Sequence, residues 1–287
     1  MSYSPSPRPT FDGPAHIPAA AVTRHLWGDP VSGEVADWIY VSSGKIHQLV
    51  FGLLPGAMFR HSEEYRTIFG ADEVLYVLSG ILLINNPETG EVHRALPGEA
   101  IFFRRDTWHH AMNGSTEPLR VLELFAPPPS QGTSGAYART KPYLTVPKYT
   151  QDQWIGRWPM AREEAARSFS MQMVRDADIL WRLEGRERQV LVGILASTEH
   201  LTVGKVYLLP GQHTDVQTHG GDEGLYLLEG TLHVRLPEHQ GARWCELNPG
   251  DGFYIPQGEP HQYYNVSDTP VSLLFGVAPA YAPGERE

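Results

Sequence analysis

The chain contains an internal repeat, and this repeat restricts its fold more than any other feature. The run EVLYVLSG that begins at Glu73 returns as EGLYLLEG from Glu223, and PGEAIFF from Pro97 returns as PGDGFYI from Pro249. From Glu73 onward the two copies stay 150 to 152 residues apart in the numbering. A similarity that persists at a fixed distance indicates one structural unit that occurs twice. We therefore expect the 287 residues to form two copies of one domain.

Each copy consists of short apolar runs that are separated by turn residues. The 28 glycines and 24 prolines are spread along the chain, and runs rich in Val, Ile, Leu, Tyr and Phe lie between them. Many short strands with turns between them are typical of an all-β sandwich or barrel. The predicted strands are 48–54, 74–78, 100–103 and 119–125 in the first copy, and 200–209, 225–228, 252–255 and 271–277 in the second.

One stretch between the two copies predicts a helix. Residues 160–173 are rich in Ala, Glu, Arg and Met and contain neither Gly nor Pro, a composition that favours helix. The boundary between the copies therefore falls in a helical segment. We predict four parts, namely an N-terminal arm at 1–35, a first β-domain at 36–140, a helical linker at 141–178 and a second β-domain at 179–287.

Four polar residues of the second copy have the pattern of a metal site. Gln217 and His219 alternate, so on a strand they point to the same side. Glu223 follows just before the apolar run 225–228, and His261 arrives on a later strand. Nitrogen and oxygen donors that meet inside a barrel suit a divalent metal ion. We therefore predict that Gln217, His219, Glu223 and His261 form a metal site.

These four residues belong to a longer spaced pattern, which resembles the two-part signature of the cupin superfamily. The second copy reads Gly211-x5-Gln217-x-His219-x3-Glu223-x6-Gly230 and then Gly250-x5-Pro256-x-Gly258-x2-His261-x3-Asn265. Gln217 stands where the signature has its first histidine. Because both copies share the frame, the chain resembles a bicupin, which implies an all-β fold of two tandem jelly-roll β-barrels with a short helical inter-domain segment. The resemblance also implies that the four residues bind a divalent ion such as Mn, Fe, Zn, Ni or Co.

The first copy keeps the frame but loses part of this ligand set. Glu73 and His109 occupy the positions of the second-copy glutamate and late histidine. The pair that matches Gln-x-His is absent, and counting back from Glu73 places Thr67 and Phe69 there. His61 could join Glu73 and His109 as a third ligand, although the spacing does not require it. We expect this copy to be a scaffold, or a polar cavity without metal.

The glutamine ligand favours one class of reaction. A Gln-x-His pair with a later Glu and a distant His resembles the metal site of the cupins that interconvert phosphomannose and fructose phosphate. We therefore predict isomerase-like proton transfer on a small hydroxy-carbonyl, sugar-like substrate. The predicted acid–base residues are His213, Lys205 and Tyr263, which lie near the ligands in the sequence. Two alternatives stay open, an Fe(II)-dependent dioxygenase that cleaves a small organic acid, diketone or aromatic compound, and a non-catalytic cupin that binds a small molecule.

Charge and composition exclude several kinds of partner. The formal net charge of −10 argues against nucleic acid and anionic membranes, since both require a basic surface. Cys245 is the single cysteine, so no disulfide can form within the chain. No apolar run reaches the length of a membrane span, and the first ten residues lack the apolar stretch of a secretory signal. We expect a cytoplasmic protein that acts on a small molecule, and the resemblance to bicupins implies that it is a homodimer.

Overall fold

The computed structural model describes residues 6–128 and 136–282, and this part of the chain consists mainly of β-strands. In the first half the strands are β1 (Ala15–Ile17), β2 (Thr23–Asp29), β3 (Gly33–Ser42), β4 (His47–Leu53), β5 (Met58–Phe59), β6 (Asp72–Ser79), β7 (Leu82–Asn85), β8 (Val92–Ala95), β9 (Ala100–Phe103), β10 (His110–Asn113) and β11 (Leu119–Ala126). In the second half they are β12 (Met171–Val174), β13 (Leu180–Glu184), β14 (Val190–Ser197), β15 (Thr202–Leu208), β16 (Asp222–Glu229), β17 (Leu232–Arg235), β18 (Trp244–Leu247), β19 (Gly252–Ile255), β20 (Gln262–Tyr264) and β21 (Val271–Ala278). Between the halves lie the helices α1 (Ala136–Arg139) and α2 (Arg162–Ser168), with short 3-10 turns at Asp152–Trp154 and Asp176–Asp178.

The strands form two barrels, each made of a seven-stranded sheet that packs on a smaller sheet. In the first barrel the order β12-β9-β6-β11-β4-β3-β2 faces β5-β10-β7-β8, and in the second β1-β19-β16-β21-β15-β14-β13 faces β18-β17-β20. Apolar side chains from both sheets share one core in each barrel, such as Val35 with Ile84 in the first and Val192 with Val234 in the second. The prediction of an all-β fold with two tandem barrels is confirmed.

The two repeat units exchange their first strands. Strand β1 lies near the N-terminus but pairs with β19 of the second barrel, where Ala15 is opposite Tyr254. Strand β12 opens the second unit but pairs with β9 of the first barrel, where Met171 is opposite Phe103. Each seven-stranded sheet therefore has a strand of the other unit at one edge. The segments predicted as an arm at 1–35 and a linker at 141–178 each supply one of these strands, while the domain boundaries themselves stay a prediction.

The predicted helix at 160–173 is shorter in the structure, and its last part is wrong. Helix α2 covers Arg162–Ser168, and the next residues form β12. Met171 and Val174 are buried against the first barrel, so packing on the sheet edge outweighs the helix propensity of the methionines. None of the helices within 6–128 and 136–282 is long and apolar enough to cross a membrane.

A third apolar cluster lies between the barrels. It joins Val41 and Leu124 of the first barrel to Val203 and Leu274 of the second. The close approach depends on a small residue, because a Cβ added to Gly276 would meet Leu124 Cδ2 at 2.8 Å. The barrels therefore pack on each other through one face of each large sheet, while the opposite face encloses the interior of each barrel.

Candidate metal centre

The four predicted ligands of the second barrel are brought together by two chain segments. Gln217 and His261 form an isolated antiparallel bridge, in which the Gln217 amide donates to the His261 carbonyl at 2.9 Å and the His261 amide donates back at 3.0 Å. His219 lies two residues further along the first segment, and Glu223 is the second residue of β16. This backbone pairing holds the two segments side by side, so their side chains share one interior space.

The side chains of this group meet at Glu223. Its Oε2 lies 3.4 Å from His219 Nε2 and 3.2 Å from His261 Nε2. His219, Glu223 and His261 are 7%, 1% and 0% exposed. The Gln217 side-chain amide lies 3.1 Å from His261 Nε2 and completes the set. A 180° rotation exchanges the nitrogen and oxygen of such an amide, so either atom can face the group.

Hydrogen bonds to the outer ring nitrogens orient both histidines. His219 Nδ1 donates to the Tyr281 carbonyl at 2.7 Å, and His261 Nδ1 donates to the Glu259 carbonyl at 3.0 Å. In a neutral imidazole the other nitrogen, Nε2, then presents a lone pair, and here both lone pairs face the carboxylate. Glu223 Oε2 is buried without a hydrogen-bond partner in the described structure. Three converging acceptor atoms fit a metal cation, which supplies the missing positive charge.

The Glu223 carboxylate is kept ionised by its neighbours. Burial raises its pKa, but contact with His261, the positive charge of His219 and His261 whenever these rings are protonated, and the hydrogen bond from Tyr263 outweigh burial and place the pKa below its usual value. The Tyr263 hydroxyl donates to Glu223 Oε1 at 2.5 Å. Burial, and then the charge of Glu223, raise the pKa of Tyr263 well above that of a free phenol. Tyr263 is therefore a hydrogen-bond donor that orients Glu223, and not a ready proton acceptor.

The other two predicted acid–base residues lie elsewhere. His213 stacks on Tyr264 with 4.5 Å between ring centroids, and its Nδ1 bonds to the Thr214 carbonyl at 2.8 Å. Lys205 has the strand parity of Val203, which packs between the barrels, whereas the next residue, Val206, faces the barrel interior. The structure does not bring either side chain to the metal group, because adjacency in sequence does not determine the face of a strand.

The space beside this group is small. The cavity measures about 10 Å³. Apolar side chains and several polar ones line it, among them Glu184 and Tyr281. The Tyr281 hydroxyl donates to Glu184 Oε2 at 2.7 Å. A volume of this size holds about one water molecule. The second barrel therefore offers room for an ion and for one small group beside it.

The first barrel has a different polar group at the equivalent place. Atoms of Glu73, His109 and Glu123 lie within 4.8 Å of one another, and His109 Nε2 is 4.0 Å from Glu73 Oε2. His61 is not part of this group, since its Nδ1 lies 2.6 Å from His110 Nε2 and its Nε2 lies 2.8 Å from the Leu144 carbonyl. Sequence reasoning missed Glu123, which no motif marks.

Buried acids dominate this first-barrel group. Burial and then the charge of Glu123 raise the pKa of Glu73 well above its usual value, and burial and then the charge of Asp37 do the same for Glu123. Burial raises the pKa of Asp37 to about 8, against a lowering effect of the Trp27 indole N–H. Burial lowers the pKa of His109 to about 4, so this imidazole is neutral. The polar group of the first barrel is therefore a set of protonated acids.

Comparison with solved structures finds the same fold over the whole chain. The putative glyoxylate-induced protein from Pseudomonas aeruginosa is 17% identical, with 96% of this chain and 93% of that chain covered and a TM-score of 0.66. The protein Ylba from E. coli is 12% identical, with 95% and 94% covered and a TM-score of 0.63. Oxalate decarboxylase from Lactobacillus farciminis, in a formate complex, is 14% identical, with 98% and 90% covered and a TM-score of 0.59. At these identities the likeness shows the fold alone.

Comparison with protein families places one match in each barrel. The family profile Cupin_2, described as a cupin domain, matches residues 56–125 and 204–277. Together these ranges cover half of the chain. No curated protein matches the sequence. Since the profile matches once in each of two tandem barrels, the chain belongs to the cupin family and is a bicupin.

Proposed function

We propose that this chain is a metal-dependent bicupin enzyme whose metal centre lies in the second barrel, where Gln217, His219, Glu223 and His261 would hold the ion. The observation that carries the proposal is the unpartnered, fully buried Glu223 Oε2, which two imidazole lone pairs face. Burying a carboxylate without compensation costs several kcal/mol, on the order of what a cation recovers there. The divalent ion is one of Mn, Fe, Zn, Ni or Co, since nitrogen and oxygen ligands suit all five.

The charge of the ligand set favours an anionic substrate. Glu223 is the acidic member of the set, so it would leave a divalent ion with a formal charge of about +1 in a buried place, and a small carboxylate substrate would compensate that charge. The cavity of about 10 Å³ excludes a hexose, and even a short acid would require the cavity walls to move outward. We therefore propose a short hydroxy-carbonyl acid, which has the functional groups of a sugar without its size. The likeness to an oxalate decarboxylase, named for a small dicarboxylate, fits this size and charge.

The proposed reaction is proton transfer beside a carbonyl group. When bound, the ion supplies Lewis-acid polarisation of the carbonyl oxygen. Tyr263 orients Glu223 through its hydroxyl, and the two backbone carbonyls at Tyr281 and Glu259 fix the ring orientation of the histidines. We assign the proton acceptor to Glu184, a carboxylate on the wall of the same cavity that the Tyr281 hydroxyl holds in place.

The test is hydrogen–deuterium exchange into a substrate under anaerobic conditions. The full-length protein, loaded with Mn or Zn, is incubated in D₂O with a panel of short hydroxy and oxo acids, and proton NMR follows the C–H next to the carbonyl. We expect exchange with the wild type and none with His219→Ala. His213→Ala is the matched control, because this histidine stacks on Tyr264 away from the group and its loss should leave exchange intact.

Two other outcomes would contradict the proposal. Turnover that requires Fe(II) and consumes O₂ would assign the chain to the dioxygenases. Binding of an acid without exchange or product under any of the five metals would assign it to the non-catalytic binding cupins. A homodimer and a cytoplasmic location stay predictions, and light scattering coupled to size-exclusion chromatography tests the first.

A further inference from the structure

The first barrel encloses a larger and differently built cavity than the second. Its volume is about 80 Å³, against about 10 Å³ beside the metal group. At about 10–15 Å³ for each water-sized position, this is room for roughly five to eight non-hydrogen atoms. Its apolar wall includes five aromatic rings, those of Trp27, Phe51, Phe59, Phe69 and Phe125.

Three carboxyl groups gather on one side of this cavity. Asp37 on β3, Glu73 on β6 and Glu123 on β11 are 6%, 1% and 8% exposed, and Asp37 and Glu123 line the cavity. The Trp27 indole N–H donates to Asp37 Oδ2 at 2.5 Å, and the carboxyls of Glu73 and Glu123 are within hydrogen-bonding distance of each other. Among the described residues, one ion pair involves these three carboxyls. It joins His109 Nε2 to Glu73 Oε2 at 4.0 Å. Within the described structure these carboxyls therefore hold protons instead of pairing with a cation, and a bound cation would favour their ionised form.

Two buried polar atoms add an independent sign of a ligand. Thr67 is 1% exposed and lines the cavity, and its Oγ1 has no hydrogen-bond partner in the described structure. Glu73 Oε2 is likewise buried and unpartnered. Buried oxygen atoms of this kind are rare unless a ligand or water satisfies them. Thr67 stands where the second copy has Gln217, so this oxygen lies at the position of a predicted metal ligand.

The volume of the cavity, its carboxyl groups and its aromatic rings together favour one class of ligand. Aromatic faces attract a cation, and so do carboxyl groups that lack a counter-charge. A metal ion would bind only the carboxyl groups and would leave the aromatic rings without a contact. At the end nearest solvent the half-buried Arg8 and His25 line the cavity, so the far end of the ligand can carry an acceptor. We propose that the first barrel binds a small organic ammonium compound, with its ammonium group among Asp37, Glu73 and Glu123.

Three probes of equal chain length test this site by isothermal titration calorimetry on the full-length protein. Butylamine carries only the ammonium group, butyrate only the carboxylate, and γ-aminobutyrate both. We expect the two amines to bind and butyrate not to bind. Glu123→Gln keeps the shape but removes a carboxyl that would ionise beside a bound ammonium group, and should weaken amine binding by about tenfold or more, the usual cost of losing one partner of a buried charge pair. Glu223→Gln is the matched control in the second barrel and should leave amine binding unchanged.

Each remaining outcome overturns the proposal. Butyrate binding as tightly as the amines would show that protonated acids recognise a carboxylate. Binding of Mn or Zn that is lost in Glu123→Gln, without any binding of the amines, would make this a second metal site. No binding of any probe in the millimolar range would leave the cavity without the proposed role. Circular dichroism of Glu123→Gln confirms that the variant is folded, and Thr67→Val offers a second variant that removes only the unpartnered hydroxyl.

Discussion

The two barrels share one frame and differ in what that frame encloses. In the second, one carboxylate meets two imidazole lone pairs beside a cavity of about 10 Å³. In the first, three buried acids line or adjoin an aromatic cavity of about 80 Å³. The equivalent residues Glu73 and Glu223 have pKa values that shift in opposite directions, upward for Glu73 and downward for Glu223. The residue type at one position therefore does not determine its chemistry, because the neighbours decide whether the carboxyl is charged.

The parts of the repeat that carry no ligand have kept the same contacts. Asn113 Nδ2 donates to the carbonyls of Leu53 at 3.2 Å and Glu117 at 2.7 Å, and its Oδ1 accepts the Ser115 hydroxyl. Asn265 makes the same set in the second barrel, to Leu208 at 3.1 Å and Thr269 at 2.8 Å. These asparagines make the same loop contacts in both copies, although the interiors of the two barrels differ.

Loss of the central carboxylate gives the largest expected difference between the barrels. We expect the purified protein to carry about one divalent ion per chain. Glu223→Ala should reduce this to nearly none, because it removes the acceptor that both histidines face, whereas the equivalent change Glu73→Ala should leave it unchanged. Elemental analysis by mass spectrometry measures both variants. Loss of about half the metal in each variant would mean two metal sites.

The sequence predicts the second-barrel group better than the first. Spacing alone located Gln217, His219, Glu223 and His261, because a signature fixes their places on two strands. Glu123 belongs to no signature, although it stands on the face of β11 that also carries Val121 and Phe125. A charged residue in an apolar alternation is the one local signal of a buried acid.

Other features of the fold needed the three-dimensional structure. Lys205 is near the metal ligands in sequence but lies on the opposite face of its strand from Val206, which points into the barrel. The sequence alone does not determine which face of this strand points inward. The exchange of β1 and β12 escaped prediction because strands of three and four residues give almost no periodic pattern. His61 is a candidate ligand in the sequence because histidine commonly binds metals. In the structure its ring packs on Trp108 and Tyr143 instead.

The second prediction concerns the free energy of unfolding and the buried acid Asp37. Its pKa is about 8 in the folded chain against 3.8 for the free group. The folded state therefore holds the proton more tightly, and this acid destabilises the protein progressively as the pH rises from about 4 to 8. Asp37→Asn mimics the neutral form and keeps an acceptor for Trp27. Above pH 8 we expect it to be more stable than the wild type by at most about 6 kcal/mol, at about 1.36 kcal/mol for each pKa unit.

Urea denaturation at several pH values, without added ligand, measures this difference. The gain should shrink as the pH falls and approach zero below about pH 3, where the aspartate is protonated in both states. Equal pH dependence of the two proteins would mean that Asp37 is charged in the folded chain and has a compensating cation. That result would also remove the reason for an ammonium site in the first barrel.

The third prediction tests how much metal binding depends on the hydrogen bond that orients the predicted metal ligand Glu223. Tyr263→Phe removes the hydroxyl that donates to Glu223 Oε1 and keeps the ring. We expect metal affinity in the second barrel to fall by about 10- to 100-fold, the usual effect of losing a hydrogen bond to a metal ligand. Competition with a chelating dye measures the affinity. An unchanged affinity would show that the strand pairing alone orients Glu223.

The smallest expected effects lie where the two barrels touch, at a pair of equivalent aspartates. Asp72 accepts from Arg104 Nε at 2.9 Å, and Asp222 accepts from Lys45 Nζ at 2.9 Å. Both cations are partly exposed, so Arg104→Met and Lys45→Met should each cost less than about 1 kcal/mol in free energy of unfolding. Asp222 would stay satisfied, because the Tyr254 hydroxyl also donates to it at 2.9 Å.

Urea denaturation of these two variants at one salt concentration gives the free energy of unfolding that each of the two ion pairs contributes. Equal small losses of free energy of unfolding would mean that these two contacts stabilise the protein to the same extent. A loss of several kcal/mol for one variant alone would show that the divergence has spread from the interiors to the interface. Because exposed ion pairs weaken with salt while buried carboxyls do not, repeating the measurement at high salt separates the two kinds of contact. The cost of Lys45→Met should then vanish, whereas the pH-dependent gain of Asp37→Asn should persist, since that acid lies inside its barrel.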